Sequence, residues 1–109
     1  MAGVTITTAP GETLAFAPVE TAVQASGPIA LTFRNVSSLP HNLTFTAGLS
    51  GASRTIVEPG ATDLLVLTPS ASGAYRFVCT IHDGMAGTLI VKVGGSATER
   101  TVSMIDEDR

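Results

Sequence analysis

The chain has 109 residues, a length that fits one domain built round one core. With 44% hydrophobic and 14% charged residues it is too apolar for a disordered chain, yet Gly, Pro, Ser and Thr break every apolar run short of membrane-spanning length. A net charge of −3 with six scattered basic residues leaves no footprint for nucleic acid, and the one Cys permits no internal disulfide.

The first residues, Met1-Ala2-Gly3-Val4-Thr5, lack the basic segment and apolar core of a secretory signal. The chain is therefore expected to be either cytoplasmic or a mature form from which an export signal is gone. Weaker strands are expected over residues 4–8 and 13–16, separated by Pro10-Gly11. After the turn residues Ser26-Gly27-Pro28 comes the clearest strand, over 28–35. Ile29, Leu31 and Phe33 share one face there, opposite Ala30, Thr32 and Arg34. Over 41–47, Leu43 and Phe45 alternate with Asn42, Thr44 and Thr46. Weaker strands follow at 54–57 and 62–68, punctuated by Gly48 to Gly51 and by Pro59-Gly60. Beyond Ser70 to Gly73, a strand over 73–79 places Tyr75 and Phe77 together. A last strand over 87–93 sets Leu89, Val91 and Val93 opposite Thr88 and Lys92.

No window shows helical periodicity. Seven to eight short strands at this spacing predict an all-β, antiparallel sandwich or barrel. Residues 1–93 are expected to be the domain and 94–109 a polar tail or linker, opened by Gly94-Gly95-Ser96 and ending in Ile105-Asp106-Glu107-Asp108-Arg109.

Strand parity then bears on chemistry. His41 falls on the side of Leu43 and Phe45, and Cys79 on the side of Tyr75 and Phe77, so neither is an ordinary solvent-facing residue. The densest group of possible ligands is Cys79-Thr80-Ile81-His82-Asp83-Gly84-Met85, a C-x2-H-x2-M loop that ends just before a strand. With His41 it offers two imidazoles, a thiolate and a thioether. A His2Cys plane with a weak axial Met is the donor set of blue-copper electron transfer.

Singly, each residue has a plainer reading: a buried Cys as a small hydrophobe, an inward His as a hydrogen-bonded core residue, a Met as gap-filler. Together, the only Cys and both His residues falling into one constellation favour a mononuclear copper site held by His41, Cys79, His82 and Met85. The loop residues Ile81, Gly84, Met85 and Ala86, with Leu39-Pro40, are expected to form a low-charge apolar rim round the metal. Such a rim suits transient redox encounters or serves to keep water out.

From about Leu14 to Val93 the sequence resembles the cupredoxin family of small blue copper proteins. The resemblance rests on Phe16-Ala17-Pro18, Ala25-Ser26-Gly27-Pro28, Phe33-Arg34-Asn35, Pro40-His41-Asn42, Glu58-Pro59-Gly60, and the run from Gly73 through Cys79 into the ligand loop and Gly87. The short loop looks like the amicyanin type rather than the longer loops of plastocyanin or azurin. The resemblance implies a Greek-key sandwich with copper at one end, ligand roles for His41, Cys79, His82 and Met85, and hydrogen bonds from Asn42 that tie the two ligand-bearing segments together. The amicyanin type usually has Pro immediately before the second His, where this chain has Ile81. The Ile81 N–H is expected to be a second donor to the Cys79 sulfur, beside Asn42.

The function expected is a type 1 copper electron carrier that is not an enzyme. Its partners would be redox proteins such as a c-type cytochrome or a copper or quinone oxidoreductase, with no nucleic acid and no membrane span. The chain would be a monomer working in the periplasm or otherwise outside the cytoplasm. A copper shuttle or store, or one cupredoxin domain of a larger redox enzyme, stays open as an alternative. A multicopper enzyme needs a third His and a dinuclear copper-A centre a second Cys, and neither is present. A cysteine hydrolase using Cys79 and His82 would have the two too close in one loop, with no evident partner for the His. A metal-free adhesion sandwich leaves the ligand cluster unexplained.

Overall fold

The computed structural model describes residues 1–94, so most of the tail expected over 94–109 lies outside the described residues. Eight strands follow one another: β1 (Ala2–Thr8), β2 (Phe16–Ala17), β3 (Glu20–Ala25), β4 (Ile29–Arg34), β5 (Thr44–Phe45), β6 (Thr62–Leu67), β7 (Gly73–Val78) and β8 (Ala86–Val93). No helix of the described residues is long and apolar enough to cross a membrane. The strands form two four-stranded sheets, ordered β2-β1-β4-β6 and β3-β8-β7-β5.

Both sheets are mixed rather than purely antiparallel. β1 pairs in parallel with β4 (Val4 opposite Leu31, Ile6 opposite Phe33), and β3 in parallel with β8 (Val23 opposite Val91). Parallel neighbours need a long crossover. Here the chain makes it by passing from β1 and β2 into β3 of the opposite sheet before returning to β4. Alternation in the sequence reports which face a residue takes, not the direction of its partner, so this feature is silent in the pattern.

Three expected strands contract. That over 13–16 is reduced to β2 at Phe16–Ala17, that over 41–47 shrinks to β5, and that over 54–57 is reduced to Val57, which bridges His41 outside any strand. β3 was not anticipated. Its sequence, Glu20-Thr21-Ala22-Val23-Gln24-Ala25, carries little apolar contrast, because Thr21 and Val23 hold the half-buried positions and the one buried residue is the small Ala25.

The core lies between the sheets. Ile6, Ile29, Leu31, Phe33, Leu65 and Leu67 face Phe45, Phe77, Leu89 and Val91, and each is buried. Burying side chains of this size contributes about 1.5–3 kcal/mol apiece. Phe77 sits edge-on to Phe16 at 4.8 Å between ring centroids and to Phe45 at 5.5 Å. Gly87 is where β8 passes over that ring. A Cβ there would lie 2.6 Å from two Phe77 ring carbons and 2.9 Å from the Val19 carbonyl oxygen, so only glycine lets the strand approach. β4 and β7 thus run toward one end of the sandwich, where the segments that follow them, 35–42 and 79–85, meet.

Candidate metal centre

His41 follows β4 by seven residues and is wholly buried, at 0% exposure. It lies in no strand, yet its backbone is fixed as firmly as if it did. The His41 N–H donates to the Val57 carbonyl at 3.2 Å, and the Val57 N–H donates back to the His41 carbonyl at 2.8 Å.

Cys79 stands one residue beyond β7 and is buried as a free thiol. Its N–H donates to the Met85 carbonyl at 3.0 Å, closing the loop that carries His82 and Met85. Gly84 takes a φ of +80° inside that loop, a left-handed conformation that glycine adopts without strain. His82 is half-buried, and its Nε2 lies 3.0 Å from the Pro40 carbonyl oxygen. A carbonyl only accepts, so Nε2 carries the hydrogen and Nδ1 keeps its lone pair for another partner. Met85 is 2% exposed and belongs to the same core cluster as Cys79.

The two segments converge. Among the described residues, His41, Cys79 and His82 are the one group of potential metal ligands, with donor atoms all within 4.8 Å of one another. The Cys79 Sγ is 3.7 Å from His41 Nδ1, and the two imidazoles meet at 4.8 Å between centroids, tilted by 62°. Asn42 joins the segments as the family resemblance implies. Its N–H points at the Cys79 sulfur at 3.4 Å, its Nδ2 donates to Thr80 Oγ1 at 2.8 Å, and its Oδ1 accepts the Thr80 N–H at 2.9 Å. The expected bond from Ile81 is not made. Among the described residues Asn42 supplies the N–H aimed at the sulfur, and Ile81 instead lies on the exposed turn of the loop, at 36% exposure. The rim is also smaller than expected: Leu39 and Pro40 are half-buried, Ile81 and Gly84 exposed, but Met85 points inward.

The residues fit a soft transition metal. Burial, and then repulsion from His82, hold the His41 imidazole below its ordinary pKa, so it stays neutral with a lone pair to give. His41 Nε2 is buried without a hydrogen-bond partner. That rules out the plain reading of a satisfied core histidine, since a buried polar atom left unpaired costs about 1–3 kcal/mol. A hydrolase is no better served. The imidazole beside the sulfur is the buried His41, while the His82 Nε2–H is already given to Pro40.

Residues 3–91 match the model of the cupredoxin-like domain. Plastocyanin from Ginkgo biloba is 35% identical over 94 residues, covering 76% of this chain and 91% of the plastocyanin. Auracyanin A, a blue copper protein from Chloroflexus aurantiacus, superposes with a TM-score of 0.68 at 20% identity, covering 84% of this chain and 98% of its own. A variant of amicyanin in its reduced Cu(I) form gives 0.64 at 23% identity, covering 84% of each chain. The chain belongs to the cupredoxin family. Copper is the cofactor that this family and this donor set of imidazole and soft sulfur define.

Proposed function

We propose that this chain is a type 1 copper electron carrier in which His41, Cys79 and His82 would hold one copper ion, with Met85 as a weaker fourth donor. The observation that carries the reading is the convergence of the His41, Cys79 and His82 donor atoms within 4.8 Å of one another, one histidine sealed in the core and the other half-open to the surface. Bound there, copper supplies a one-electron couple between Cu(I) and Cu(II). The chain's own residues do the rest. The buried donors resist rearrangement between oxidation states, the Asn42 N–H draws charge from the sulfur, and the His82 ring lies nearest to a docked partner.

Leu39, Pro40, Ile81 and Gly84 form a small apolar rim of low charge, suited to a brief encounter with a redox protein such as a c-type cytochrome or a copper or quinone oxidoreductase. In this reading residues 1–93 form the working unit, a monomer that acts outside the cytoplasm and carries out no substrate chemistry. Copper reconstitution followed by an optical spectrum and a voltammogram tests it. The expected result is an intense visible band bleached by mild reductant, with a reversible one-electron wave. Copper held only as colourless Cu(I), without reversible oxidation, would make the chain a copper shuttle or store.

A further inference from the structure

Behind His41 lies a buried polar knot with no part in ligation. Asn35, Ser37 and Thr8 are each buried, where an unpaired polar group is costly. None is unpaired. Asn35 Nδ2 donates to the Leu39 and Val57 carbonyls, both at 2.8 Å. Asn35 Oδ1 accepts the Ser37 N–H at 3.0 Å, the Ser37 hydroxyl at 2.6 Å and the Thr8 hydroxyl at 3.2 Å. The Asn35 backbone is held as well, its N–H on the Ala61 carbonyl at 3.0 Å and its carbonyl receiving the Gly60 N–H at 2.7 Å.

The two carbonyls taken by the Asn35 amide are the informative ones. Val57 is the residue whose carbonyl also receives the His41 N–H. Leu39 precedes Pro40, whose carbonyl accepts the His82 Nε2–H. One amide group therefore stands a single carbonyl from the His41 backbone and a single residue from the group that orients the His82 ring.

We infer that Asn35 is a positioning residue for both imidazoles of the centre, with Ser37 and Thr8 fixing the orientation of its amide. The inference rests on the copper-carrier reading above. Asn35 touches no ligand side chain; it acts by locking the 35–41 segment. A locked segment denies the centre the relaxation toward the different geometries that Cu(I) and Cu(II) prefer. Loosening it lets each state relax to its own geometry, which enlarges the rearrangement between them and slows electron exchange.

The test uses the copper-loaded full chain, unmodified and as Asn35→Asp, which keeps the shape but replaces the donating amide with a carboxyl group. Ser37→Ala serves as a milder variant should the buried carboxyl prevent folding. Leu67→Ala is the control. That buried residue pairs with Ile29 at the opposite end of β4, and its truncation lowers stability without reaching the site. In Asn35→Asp the self-exchange rate should fall about tenfold or more, and the reduction potential should shift. Ser37→Ala should move both the same way by less, and Leu67→Ala should move neither. In the metal-free protein, hydrogen exchange at the His41 amide should quicken in both knot variants beyond any change in global stability. Potentials and exchange rates in the two knot variants equal to those of the Leu67→Ala control would overturn the positioning role while leaving the copper reading intact. An unmodified chain that gives no reversible copper couple would overturn both.

Discussion

His41 and His82 lie 4.8 Å apart, ring to ring, yet the chain holds them in different ways. His41 has no exposed surface, is bridged to Val57 in both directions, and is backed by the Asn35 knot. His82 sits in a turn with an exposed Ile81 before it and a left-handed Gly84 after it, steadied by one bond to Pro40. The contrast separates two demands on an electron-transfer centre. One ligand must be kept still by the fold, and one must come near the surface where a partner arrives. Stability is concentrated on the first side and access on the second.

The largest effect comes from removing the sulfur that joins the two halves. Cys79→Ser should abolish the intense visible absorption of the copper-loaded protein; an optical spectrum that keeps it would overturn the assignment of Cys79 as a ligand. Replacing the histidines one at a time then sharpens the contrast. His41→Leu removes a buried imidazole with an unpaired nitrogen, so the metal-free protein should lose copper affinity yet gain about 1–2 kcal/mol in chemical denaturation. His82→Leu should lose copper affinity without that gain.

The same asymmetry sets a pH dependence. The His41 pKa is depressed below 6.5 in the fold, so below that pH the unfolded chain takes up a proton that the folded site refuses. Metal-free stability should therefore fall as pH drops through about 6.5 and go on falling until His41 itself protonates. The slope from this group is at most about 1.4 kcal/mol per pH unit, and His41→Leu should remove that component.

A smaller effect is expected on the open side. Leu39→Asp should slow electron exchange with partner proteins several-fold and leave the copper spectrum unchanged, since Leu39 belongs to the rim and is no ligand; stopped-flow kinetics would read it. The smallest concerns Ile81. Its N–H makes no bond to the sulfur, so Ile81→Pro should shift the potential by far less than the about 59 mV that marks a tenfold change in a one-electron equilibrium. A larger drop in voltammetry would mean that this amide reaches the sulfur when copper is bound.

The sequence made some of this legible and hid the rest for physical reasons. Alternation in 29–33 and 89–93 gave the core faces, because large apolar side chains at every second position have one stable orientation. The ligand group could be read because Cys and His are scarce here and Cys79, His82 and Met85 crowd into one short loop. β3 escaped because Ala22 and Val23 contrast too little with their neighbours. The parallel pairings escaped because direction leaves no mark on side-chain pattern. Asn35 carried no signal of its own beyond its place in the family resemblance. Its importance lies in which carbonyls it meets, Leu39 and Val57, and the latter is 22 residues away in the chain. Ile81 misled for a related reason: possessing an N–H does not fix where a turn aims it.

The strand order also governs when the centre can close. β8, the last of the described strands, lies inside its sheet between β3 and β7, and β3 has no other neighbour there. A chain still being synthesised therefore leaves β3 unpaired, and the Cys79–Met85 loop unclosed, until almost the whole domain has emerged. Pairings so distant in sequence are slow to form. During synthesis the thiol of Cys79 therefore passes through a period in which the core does not yet shield it.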